Sequence, residues 1–160
     1  MAHKKICIVA NNPRVCNIPD EYDYYLHFNW ANNFALTPGK KNIMAMRYND
    51  IMETMKKVKW HHYCNYAGQT IAIGITSLIR KFDSKVTIID TAKIPAPPGK
   101  DSYPTSGFAG IHYYLSKGYD VTICGFDIEK AIYYHASRHP LDWEKEQIAL
   151  LLQQGRIKSI

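Results

Sequence analysis

At 160 residues, 46% of them hydrophobic and 12 of them tyrosine, the chain has the length of one domain with a sizeable core, which excludes a disordered tail and leaves no room for two full-sized domains. The formal charge of +6 is first of all that of an ordinary solvated surface and after it suits a small anionic ligand ahead of nucleic acid, since no basic run exceeds a pair of residues and the sequence spells no polybasic patch for nucleic acid or a membrane surface. Cys7, Cys16, Cys64 and Cys124 are widely spaced without a C-x-x-C pair and read as packed thiols of a reducing compartment, not as a zinc knuckle or a disulfide frame.

The elements follow in chain order. "KKICIVA" (Lys4 to Ala10) is a short apolar run ended by Asn11, Asn12 and Pro13, which predicts a buried strand and a loop. "YDYYLHFN" (Tyr22 to Asn29) and "NIMAMR" (Asn42 to Arg47) predict a second and a third strand. "AGQTIAIGITSLIRKF" (Ala67 to Phe82) carries apolar residues at Ile71, Ile75, Leu78, Ile79 and Phe82, a near-helical spacing that predicts a helix despite the β-branched content. "KVTIID" (Lys85 to Asp90) predicts a strand, and the proline- and glycine-rich stretch from Ala92 to Pro104 a mobile loop. A helix ending near Lys117 and Gly118 and a strand from Asp120 to Cys124 follow.

Near the end, "RHPLDWEKE" opens another helix. Pro140 suits a first helical position, and Asp142 and Glu144 suit the positive end of its macrodipole. Strands alternating with helices imply a single-domain α/β three-layer sandwich with a largely parallel sheet. Ligands of such sheets bind at the carboxyl ends of strands, here Asn11 and Asn12, Asn29, and Gly125 to Asp127.

Four features have the chemistry to bind or react. "PTSG" (Pro104 to Gly107) opens a helix with two hydroxyls and unpaired backbone N–H groups, which make either an anion site or a plain N-cap. Asparagines in "ANNP" and "HFNWANN" either hydrogen-bond a ligand or shape turns. His139 stands at a helix mouth as a base or as a structural histidine. Glu144 lies well round the helix axis from His139, so the two are not a dyad, and Glu144 is expected to secure its segment through hydrogen bonds. There is no D-x-D, H-E-x-x-H, P-loop, G-x-G-x-x-G or G-x-S-x-G, which excludes the commonest metal, nucleotide and serine-hydrolase signatures.

Taken together and in order, these segments resemble the sialyltransferases, both the eukaryotic-type family and, in part, the bacterial family with a G-N-G-P-S motif. The large motif is similar to "ICIVANNP" and "LHFNWAN". The small motif, with P-S-T-G, a helix and a strand ending in G-F-G, is similar to "PTSGFAGIHYYLSKGYDVTICGFD". A paired-tyrosine motif resembles "YYHAS", and the final H-x-x-x-x-E is matched by His139 to Glu144. The family's G-N-S-G stands here as "ANNP", closer to the bacterial G-N-G-P. Gly118 stands where secretory members carry a disulfide cysteine, as a cytosolic, bacterial-type protein would have it.

The resemblance implies a Rossmann-like GT-A-variant core and a metal-independent, inverting transferase that takes an acidic sugar, sialic acid or a relative, from a CMP-sugar to a glycan or lipid-linked acceptor. Asn11 with Asn12, and Asn29, would contact the nucleotide. Thr105, Ser106 and Gly107 would hold its ribose or phosphate, Tyr133 or Tyr134 would bond the phosphate, and His139 would be the base. No cofactor beyond the donor and no nucleic acid is expected. A non-catalytic module that binds CMP or a nucleotide sugar is the alternative. The apolar run of "MAHKKICIVANNP" is too short for a signal peptide and no stretch would span a bilayer, so a cytoplasmic location is expected, with peripheral membrane association left open.

Overall fold

The computed structural model describes residues 3–12, 15, 17–28, 36–37, 41–47, 68–80, 87–97, 102–126 and 140–160. Their strands are Lys5–Val9 (β1), Tyr24–Phe28 (β2), Asn42–Arg47 (β3), Gln69–Gly74 (β4), Thr87–Asp90 (β5), Asp120–Cys124 (β6) and Ile157–Ser159 (β7). All pair in parallel, in the order β5-β4-β3-β2-β1-β6-β7. Parallel strands are covered on both faces, so their sequences read as continuous apolar runs and not as alternation. In β1, Ile6, Cys7, Ile8 and Val9 are all fully buried.

Helices Thr76–Arg80 (α1), Ser106–Ser116 (α2) and Leu141–Gln153 (α3) join these strands, with a 3₁₀ turn at Thr91–Lys93. One face of the sheet, with Ile6, Ile8, Leu26, Phe28 and Ile123, packs against Phe108, Ile111 and Tyr114 of α2 and Ile148 and Leu151 of α3. On the other face Cys7, Val9, Tyr22, Tyr25 and Cys124 form a smaller cluster with Val15 and Ile18. The fold is therefore α/β with an all-parallel sheet, compatible with a Rossmann-like sandwich.

The chain adds β1 to β5 in one direction and then returns to lay β6 on the free side of β1. That reversal opens a crevice at the carboxyl ends of β1 and β6, where ligands of open α/β sheets bind. Helix α2 lies over this central region and packs on β1, β2, β3 and β6. Its approach is close because of Gly110: a Cβ there would stand 2.8 Å from Leu26 Cδ2 and 3.0 Å from Phe28 Cζ.

Two expectations are corrected, and one element was not expected. The stretch from Ala67 to Phe82 is not one helix: Gln69–Gly74 is a strand and the helix begins at Thr76. Ile71 pairs with Ala45 on one side and Thr87 on the other, so two neighbouring strands override a spacing that only mimics a helix. Pro140 is the N-cap of α3, at φ −81° and ψ 59°, and the first helical residue is Leu141. The chain end forms an edge strand, β7, which no apolar run announces because only Ile157 of its three residues is buried. Of the Pro/Gly-rich stretch from Ala92 to Pro104, residues 98–101 lie outside the described residues, and its start is the 3₁₀ turn capped by Asp90.

Candidate functional site

The site grows from the N-terminus of α2. Thr105, at φ −62° and ψ 157°, is the N-cap, and its Oγ1 accepts from Phe108 N at 3.2 Å. The Thr105 N–H donates to Glu144 Oε1 at 2.7 Å and its hydroxyl donates to Glu144 Oε2 at 2.7 Å. Both carboxylate oxygens thus accept, the arrangement of an ionised group. Glu144 is only 4% exposed. Burial pushes its carboxyl above the ordinary range, while the Thr105 bonds and the Arg47 charge pull the other way.

Arg47, the last residue of β3, reaches the same point. Its Nε donates to Ser106 Oγ at 3.1 Å and its guanidinium also donates to the Pro104 carbonyl. A hydroxyl that accepts from Arg47 still has its own proton to give, whereas the Thr105 hydroxyl proton is already taken by Glu144. Among the described residues, no acceptor takes the backbone N–H of Ser106 or Gly107, as the first turn of a helix requires. The helix mouth therefore presents two N–H groups and one hydroxyl proton beside a guanidinium, all suited to an oxyanion.

The asparagine turn adjoins it. Asn11 Nδ2 donates to the Phe28 carbonyl at 3.0 Å and Asn12 Nδ2 to the Gly125 carbonyl at 3.0 Å, tying the end of β1 to the ends of β2 and β6. Gly125 sits at φ +73°, and a Cβ there would meet Val15 Cγ2 at 2.3 Å, so glycine is required. The next residue, Phe126, closes on α2: a Cβ at Gly107 would lie 2.7 Å from Phe126 Cε1. Asn12, Gly125, Phe126, Gly107, Ser106 and Arg47 therefore form one continuous rim along the carboxyl edge.

The structure brings together Asn11, Asn12, Thr105, Ser106, Gly107 and Glu144 at or beside this edge. Asn29, Tyr133, Tyr134 and His139 lie outside the described residues. Sequence reasoning missed Arg47. The available signal was a lone charge closing the apolar run "NIMAM" at a strand's carboxyl end, where ligand groups concentrate. Among the described residues no three His, Cys, Asp or Glu side chains converge as a metal site would need, and no helix is long and apolar enough to cross a membrane. No family model matches this chain, and no curated protein matches it in sequence.

Proposed function

We propose that the chain is a metal-independent inverting glycosyltransferase with a GT-A-variant core, moving sialic acid or a related acidic sugar from a CMP-sugar to a glycan or lipid-linked acceptor. One observation carries this reading: the Thr105–Glu144 clamp joins "PTSG" to the helix that His139 precedes, so two segments far apart in sequence meet beside the asparagine turn. In that arrangement the departing CMP phosphate is stabilised by the Ser106 and Gly107 N–H groups, the Ser106 hydroxyl and the Arg47 charge. The requirement of the reaction is charge compensation at the leaving group, and these groups supply it without movement. Tyr133 or Tyr134 adds a phenolic hydrogen bond to the phosphate, and His139 takes the acceptor's proton as it attacks the sugar.

The test is release of CMP from CMP-sialic acid with EDTA present, with and without a galactoside acceptor, by the wild type and by His139→Ala. Acceptor-dependent release lost in His139→Ala supports the reading; release unchanged by that substitution removes His139 as base. A second reading, a CMP-binding module without turnover, is favoured by the internal use of the Thr105 hydroxyl and of an amide N–H on each of Asn11 and Asn12, which leaves fewer groups for substrate. It predicts CMP binding with no release from any CMP-sugar.

A further inference from the structure

On the same sheet face, but at the far end of α2, a cleft of about 580 Å³ opens between the helix, β5 with its 3₁₀ turn, and Arg156. Its volume is that of a small-molecule site, for which about 300 to 1,000 Å³ is usual. Ile88, Ile94, Pro95 and Leu115 give it apolar walls, and Lys93, Lys117 and Arg156 stand around it. Among the described residues Asp90 is the one carboxylate in the lining, and it is engaged in accepting from Ala92 N at 3.2 Å. Three cations against one carboxylate leave a formal +2. None of the three makes an ion pair among the described residues, where the ion pair found is Lys41 with Asp20.

His112 also lines the cleft, its ring tilted at 55° against that of Phe108 with centroids 4.4 Å apart. Its Nε2 is shielded from solvent and has no hydrogen-bond partner among the described residues. Few buried polar atoms of a folded protein stay unpaired, so this nitrogen calls for an explanation. Burial, and after it the Arg156 charge, holds the imidazole below its ordinary range.

We propose that this cleft binds the phosphate monoester of a sugar-sized molecule, with Lys93, Lys117 and Arg156 around the phosphate and the apolar walls against its body. A phosphate monoester carries about −1.5 to −2 at neutral pH, which matches the +2 of the lining. A carboxylate of the same size leaves one charge unmet. Ser106 and Lys117 stand at opposite ends of α2, about 16 Å apart along its axis, so this site is separate from the helix mouth and does not depend on the nucleotide reading.

The test is calorimetric titration of the full chain with glucose 6-phosphate, glucuronate and glucose at physiological ionic strength, with proton NMR of the His112 ring. Glucose 6-phosphate is expected to bind and to move the His112 titration to higher pH, with glucuronate and glucose weaker by about tenfold or more. Lys93→Ala/Arg156→Ala should weaken it by about tenfold or more, while Lys41→Ala, whose ammonium pairs with Asp20 beside Tyr25 of the opposite sheet face, and the helix-mouth variant Ser106→Ala leave it unchanged. No binding, equal binding of glucuronate, or equal loss in Lys41→Ala would overturn the proposal. So would loss in Ser106→Ala, which would put the ligand at the helix mouth.

Discussion

Glu144 grips Thr105 with both carboxylate oxygens, each at 2.7 Å, and so fastens the first turn of α3 to the first turn of α2. Thr105→Ala removes the cap to Phe108 and leaves a buried carboxylate oxygen unpaired. The expected loss is about 2 kcal/mol or more. Thr105→Ser keeps both bonds and should melt within a degree or two of the wild type. Thermal unfolding followed by circular dichroism checks this, and equal Tm values for the alanine and serine variants would count against the clamp.

The same carboxylate sets a pH dependence. Because burial raises the folded-state pKa of Glu144, the folded protein holds this proton more tightly than the unfolded chain does. The stability tied to it is therefore fully present below the ordinary glutamate range and is lost as pH rises through the folded value. Glu144→Gln removes this term. The Tm difference, wild type minus Glu144→Gln, should be larger at pH 4 than at pH 7; a difference that grows toward neutral pH would contradict the direction.

Gly110 and Gly107 respond differently to alanine. At Gly110 the added methyl meets Leu26 and Phe28 inside the sheet contact, and overpacking of about 1 to 3 kcal/mol outweighs the gain of about 1 kcal/mol in helix propensity. At Gly107 the methyl meets the Phe126 ring at the rim, so the expected consequence is weaker ligand binding with a smaller change in Tm. Measuring both variants by thermal melt and by calorimetry separates the two effects.

The two buried thiols Cys7 and Cys124 sit on neighbouring strands, Cys7 opposite Thr122 and Cys124 opposite Val9. The hydrogen bond between them favours the Cys124 thiolate, lowering its pKa to about 7, and pushes the Cys7 thiol up. Exposure still governs reaction, because Cys7 is 0% and Cys124 5% exposed. Alkylation by iodoacetamide in the folded protein should therefore spare both and reach them only in denaturant; peptide mass mapping reads the outcome.

Much of the fold is legible in the sequence because a parallel strand leaves a plain mark. "KICIV", "YYLHF", "NIMAMR", "TIID" and "DVTIC" are apolar runs with punctuation, and each becomes a strand. The failure between Ala67 and Phe82 has a cause: a strand and a five-residue helix abut with only Ile75 between them, and the isoleucines of the stretch fall by chance at helical intervals. Strand β7 is illegible because an edge strand of three residues needs only one buried side chain. The helix mouth, the asparagine turn and Glu144 could be read from residue type. Arg47 left only the mark of a charge closing an apolar run, and its role depends on β3 lying where its end meets "PTSG", a fact of sheet order.

The central claim is that the carboxyl-edge rim holds a cytidine nucleotide. Calorimetric titration with CMP, with AMP and UMP as controls and EDTA throughout, tests it most directly. The account predicts selective CMP binding without metal that weakens by about tenfold in Ser106→Ala, where one charge-assisted donor is lost while Thr105 and Glu144 keep the helix mouth in place. Absence of binding to any of the three nucleotides, or binding untouched by Ser106→Ala, would contradict it.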